Sequence, residues 1–137
     1  MPDRTSLDQR QSLLLVDDCT AERDLYQLVL EQQFRVLTAG RGQEGLRIAG
    51  AEHPDIVVLD VMMPEMDGWE TCARMKRDPE TARIPVVMLT AADDEDLAQH
   101  AAEVGAAAVL RKPCGVERLV ETIRGAISGP GDKAVWG

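Results

Sequence analysis

A chain of 137 residues is long enough for one compact domain with a real core and too short for two of ordinary size. Its composition, 45% hydrophobic and 28% charged with a formal net charge of -9, is that of a globular, soluble chain rather than a disordered one. Acidity argues against a nucleic-acid ligand, which calls for clustered Lys and Arg, and four aromatic residues (Tyr26, Phe34, Trp69, Trp136) are too few for a base-stacking platform. Basic partners or metal cations fit better. The apolar runs are far shorter than the roughly 20 residues that span a bilayer, and the N-terminal MPDRTSLDQRQS lacks a signal core, so no membrane attachment and a cytoplasmic location are expected. Cys19, Cys72 and Cys114 are scattered without metal or redox spacing and read as reduced thiols.

In chain order, residues 1–11 read as a polar arm, followed by the apolar run SLLLVDD (12–18). TAERDLYQLVLEQQ then has helical period, with Ala21, Leu25, Leu28, Val29 and Gln32 on one face and Thr20 placed as N-cap. FRVLTA (34–39) is a shorter, mixed run suited to an edge or near-edge strand, and QEGLRIAG (43–50) is a weak helix. IVVLD (56–60) precedes a helix over DGWETCARMKR (67–77), in which Trp69, Cys72 and Met75 recur every three residues. PVVMLTA (85–91) leads to DEDLAQHAAEVG (94–105), whose leading acids suit the helix dipole and whose Gly105 suits a C-terminal cap. AAVLRKP (107–113) precedes VERLVETIRGAI (116–127), striped by Val116, Leu119, Val120, Ile123 and Ile127. The last ten residues, SGPGDKAVWG (128–137), read as a tail or linker stub.

Four of the apolar runs do not alternate with polar residues, as expected of strands covered on both faces. Five successive β-α units with short connections predict an α/β domain over residues 12–127, with a parallel sheet, right-handed crossovers and helices on both faces. On that architecture Asp17 and Asp18 follow the first strand, Asp60 ends the third, Thr90 ends the fourth and Lys112 ends the fifth. All five therefore open onto the carboxyl edge of the sheet, where ligands bind in open α/β folds. An Asp that closes a strand commonly serves as a turn or N-cap residue, a Thr as a strand or cap residue, and a Lys before Pro as surface charge. Their coincidence at corresponding strand ends favours chemistry.

Three carboxylates at close range repel one another and are costly to desolvate, so a cation is expected among them. Oxygen ligands without a His or Cys cluster favour Mg²⁺, with Mn²⁺ as substitute. A carboxylate beside Mg²⁺ and an ammonium, with a hydroxyl in reach, suits attack on phosphorus.

These residues resemble the receiver domains of two-component response regulators over about residues 12–127. The strongest stretch is LDVMMPEMDGWE (59–70), joined by Asp17-Asp18, Thr90-Ala91, Lys112-Pro113 and the fifth-strand form GAAAVLRKP (105–113). The resemblance implies a flavodoxin-like (βα)5 fold with strand order 2-1-3-4-5, similar to a stand-alone chemotaxis regulator. It implies that Asp60 accepts a phosphoryl group from a histidine kinase or phosphotransfer protein, and that Asp17, Asp18, Asp60 and the Met62 carbonyl hold Mg²⁺. Thr90 would donate to a phosphoryl oxygen, Lys112 would pair with the carboxylate or phosphoryl group, Pro64 and Gly68 would shape the following loop, and Lys112-Pro113 would be cis. Output would pass to a downstream effector protein, with the chain a monomer or a weak dimer through helix 4, strand 5 and helix 5. Chemistry would be confined to self-phosphorylation and autodephosphorylation at Asp60.

One position departs from the family. Where an aromatic residue often swings inward on the fifth strand, this chain has Val109, so a simple aromatic rotamer switch is absent or altered. Two other readings compete: a degenerate receiver kept as a binding scaffold, and a Mg²⁺-dependent phosphohydrolase. The second lacks an acid two positions after the nucleophile, where Met62 stands, and has no cap domain.

Overall fold

The computed structural model describes residues 9–92 and 95–129 and the backbone of residues 135–136. Five β-α units follow one another: β1 (Ser12–Val16), α1 (Thr20–Leu30), β2 (Arg35–Ala39), α2 (Gly42–Glu52), β3 (Ile56–Asp60), α3 (Gly68–Arg77), β4 (Val86–Thr90), α4 (Leu97–Glu103), β5 (Ala108–Arg111) and α5 (Val116–Ser128). The strands pair in parallel in the order β2-β1-β3-β4-β5. This is the flavodoxin-like order expected from the sequence. A two-residue strand, β6 (Val135–Trp136), adds to the edge of β5, with Ala108 opposite Val135 and Val109 opposite Trp136. It falls within the ten terminal residues, and two residues are too few to carry a periodic signal.

Strands β1, β3 and β4 are buried along their whole length, which explains why their sequences are continuously apolar. Alternate side chains feed two cores. One gathers Leu14, Val16, Val57, Leu59, Val86, Met88 and Val109 beneath α2, α3 and α4. The other gathers Leu13, Leu15, Ile56, Val58, Val87, Leu89 and Leu110 beneath α1 and α5. Each fully buried aliphatic side chain contributes about 1.5–3 kcal/mol, so the sheet is the rigid part of the molecule. On α5, Leu119 and Ile123 are buried as the stripe predicts, while Val116 at its start is exposed. Asp67 caps α3 by accepting from the Glu70 N–H at 2.9 Å.

Three local expectations are corrected. The stripe assigned to the inner face of α1 is largely outside, with Leu25 and Leu28 59% and 60% exposed. The inward side instead carries Glu22, Arg23, Tyr26, Val29 and Leu30. Polar groups win this face because they have partners there, as the site geometry below shows. The N-cap of α1 is Cys19 rather than Thr20, and its side chain makes no capping bond. Helix α4 is shorter than its sequence pattern, and Asp94, at the start of the expected helix, lies outside the described residues.

Candidate functional site

The carboxyl ends of β1, β3, β4 and β5 bring together most of the residues singled out in the sequence. Asp60 is the last residue of β3 and only 7% exposed, as expected of the end of a central strand. Lys112, one residue beyond β5, donates from Nζ to Asp60 Oδ1 at 3.1 Å. Asp17, one residue beyond β1, is 1% exposed and accepts from the Cys19 N–H at 2.9 Å. Its carbonyl accepts from Arg23 Nη1 at 2.7 Å, which ties the first turn of α1 to the end of β1.

Glu22 was not anticipated. Its Oε1 accepts a hydrogen bond from Lys112 Nζ, so one ammonium bridges a carboxylate on α1 and another on β3. Asp17, Glu22 and Asp60 each bring one carboxylate oxygen to within 4.8 Å of the others. A signal for Glu22 existed in the sequence: it lies in the first turn of the helix that leaves β1, and helices of a parallel α/β sheet begin at its carboxyl edge. Assigning the inner face of α1 to its leucines concealed it.

Two expected residues make no hydrogen bond within this cluster. Asp18 is exposed at the rim and is not one of the three converging carboxylates. Thr90 is fully buried, and its Oγ1 accepts from the Ala92 N–H at 3.0 Å. Met62 presents an exposed side chain just past Asp60. Lys112-Pro113 is cis.

The electrostatics follow from burial and pairing. Burial pushes the Asp60 carboxyl up from its ordinary value, and Lys112 offsets part of that rise. Asp17 is pushed up to about 7, first by burial and then by its hydrogen bond to Glu22. The bond from Asp17 holds Glu22 down against burial, with Lys112 adding to the effect. Burial pulls Lys112 down, but its bonds to Glu22 and the charge of Asp60 outweigh it and leave the ammonium raised. Three acids and one lysine leave a surplus of negative charge, and all the donors are oxygens, so the cluster fits a hard divalent cation.

The loop after Asp60 is held close beneath it. The Gly68 N–H donates to the Val61 carbonyl at 2.8 Å, and a β-carbon at Gly68 would fall 2.2 Å from the Asp60 carbonyl oxygen. Only glycine permits that approach.

A parallel doubly wound sheet with an acid cluster and a lysine at its carboxyl edge defines the class to which this chain is compared. Solved structures of the same fold include a chemotaxis protein CheY4 of Vibrio cholerae, with TM-score 0.77 and 31% identity over 82% of this chain and 95% of that one. A putative response regulator of Chloroflexus aurantiacus matches with TM-score 0.79 and 33% identity, covering 86% and 97%.

Residues 13–124 match the response regulator receiver domain, and the chain belongs to that family. Protein PilH of Pseudomonas aeruginosa is 34% identical over 118 residues, which cover 85% of this chain and 98% of PilH. Transcriptional regulatory protein AfsQ1 of Streptomyces coelicolor is 38% identical over 117 residues, 85% of this chain. The chain spans about half the length of AfsQ1 and about a quarter of response regulator PleD of Caulobacter vibrioides. It is thus a signalling module of the two-component type. Among the described residues no helix is long and apolar enough to cross a membrane.

Proposed function

We propose that Asp60 accepts a phosphoryl group from a histidine kinase or histidine phosphotransfer protein in the cytoplasm, and that this changes the surface met by a downstream effector protein. The observation that carries the reading is the placement of Asp60: 7% exposed at the end of a buried strand, 3.1 Å from an ammonium and beside two further carboxylates. A structural acid has no need of so costly a setting.

The Asp60 carboxylate attacks phosphorus in line. The new P–O bond forms as the donor's P–N bond breaks, and the electron pair leaves with the imidazole. Lys112 passes its hydrogen bond from Asp60 Oδ1 to an equatorial phosphoryl oxygen. Thr90 turns its hydroxyl from the Ala92 N–H to donate to another. Receiver domains bind Mg²⁺ at an acidic pocket, and here Asp17, Asp60, the rim acid Asp18 and the Met62 carbonyl would hold it. When bound, Mg²⁺ neutralises charge that develops on the phosphoryl oxygens. The protein's own share is orientation and electrostatic preorganisation on a rigid strand end.

Beryllofluoride, a phosphoryl mimic, tests the site as a binding event. Fluorine NMR is expected to show a bound adduct that requires both Mg²⁺ and Asp60. An adduct unchanged in Asp60→Asn would place the acceptor elsewhere.

A further inference from the structure

We propose that Glu22 is a positioning residue for this phosphoryl transfer: it anchors the ammonium of Lys112 to α1 so that a second N–H is aimed at Asp60. The inference rests on the phosphoacceptor reading and assigns a role to a residue outside the strand-end set.

Four rotatable carbons give lysine a large rotamer entropy, and a single partner fixes its head poorly. Here the side chain is 12% exposed and has two partners on separate elements, Glu22 on α1 and Asp60 on β3. The two partners differ in what the reaction does to them. Asp60 loses its carboxylate charge when the P–O bond forms, because the new charge resides on the phosphoryl oxygens. Glu22 is chemically unchanged, so it supplies the fixed end of the bridge while the other N–H moves from carboxylate to phosphoryl oxygen.

Glu22 is itself held. The bond from Arg23 Nη1 to the Asp17 carbonyl, 2.7 Å, ties the helical turn that carries it to the end of β1. A carboxylate fixed by its helix and donating none of its own atoms to the reaction is the arrangement of a supporting residue. It also accounts for the orientation of α1. Rolling Leu25 and Leu28 inward would carry Glu22 away from Lys112.

Two measurements on Glu22→Ala and the isosteric Glu22→Gln test the role. The first is the rate at which a small acyl phosphate phosphorylates the full chain at saturating Mg²⁺. The second is the rate at which an amine-acylating reagent labels Lys112 in the unphosphorylated protein, read by mass spectrometry. With one of its two anchors lost, Glu22→Ala is expected to be phosphorylated about tenfold more slowly. Its Lys112 is expected to label several times faster. Glu22→Gln, which keeps an acceptor without its charge, should fall between it and wild type in both, and it serves if the alanine variant fails to fold. Slower phosphorylation with wild-type labelling would mean that Glu22 acts by another route, such as the metal, and would overturn the proposal. So would faster labelling with an unchanged rate. A wild-type chain that takes up no phosphoryl group would instead remove the phosphoacceptor reading, whereas a phosphorylated wild type beside unaffected Glu22 variants removes this inference alone.

Discussion

The two faces of the sheet meet the carboxyl edge very differently. On the α1 and α5 face, Asp17, Asp60 and Lys112 continue the inward alternation of Leu13, Leu15, Ile56, Val58 and Leu110, and Glu22 reaches them from the helix. On the opposite face, Thr90 continues the line of Val86 and Met88, and Val109 stands opposite Met88 in the neighbouring strand. That second layer is largely apolar and closed at both positions: Thr90 is 0% and Val109 1% exposed. Beyond it Trp69 stacks on His100, with ring centroids 4.1 Å apart, and ties α3 to α4. The contrast separates the two tasks of a receiver. The charged groups of the carboxyl edge are concentrated on one face, while Thr90 and Val109 lie on the other. β5 carries Val109 where the family often has an aromatic residue, and the polar group on this side at the carboxyl edge is the Thr90 hydroxyl, which bonds the backbone of the following loop at Ala92.

The largest break in this contrast comes from the loop that supports Asp60. Gly68→Ala places a β-carbon against the backbone of Asp60 and Val61, at 2.2 Å and 2.7 Å. Backbone cannot give way as a flexible side chain can, so urea denaturation is expected to show a loss of about 3 kcal/mol. Intermediate in size is the cost of filling the quiet face. Val109→Tyr introduces the ring often found in the family into a site packed around valine, and about 2 kcal/mol of stability should be lost. An unchanged denaturation midpoint would show a pocket ready for an aromatic switch and would dissolve the contrast.

The smallest effect concerns the charged face. Asp17 has a folded-state pKa raised to about 7 from 3.8, so the folded protein holds a proton that the unfolded chain gives up. Stability linked to this group therefore falls as pH rises between those two values. In metal-free protein, Asp17→Asn removes that penalty. It should stabilise the fold by on the order of 1 kcal/mol above pH 7, with the gain fading toward about pH 4. A gain of equal size at both ends of that range would assign it to packing rather than charge.

Much of this was legible in the sequence, for identifiable reasons. Buried parallel strands are continuous apolar runs, so IVVLD and its relatives mark both the sheet and, through their terminal polar residues, its functional edge. Topology then brings Asp17, Asp60, Thr90 and Lys112 to one edge without any knowledge of side-chain contacts. What escaped depended on contacts. The face of α1 was assigned by burying leucines, yet hydrogen bonds from Lys112 to Glu22 and from Arg23 to the Asp17 carbonyl outweigh that preference. Asp18 and Asp17 are equivalent in a sequence motif, but alternation along the strand sends the first inward and leaves its neighbour at the rim. The two-residue β6 is a matter of edge pairing alone, which no local pattern announces.

The central claim is that the buried acid at the end of β3 is the phosphoacceptor, and intact-mass spectrometry tests it most directly. Incubated with Mg²⁺ and a small acyl phosphate, the wild-type chain should gain the mass of one phosphoryl group, while Asp60→Asn and chelator-treated wild type should gain none. An undiminished gain in Asp60→Asn, or no gain in wild type under conditions where Mg²⁺ binds, would contradict the account.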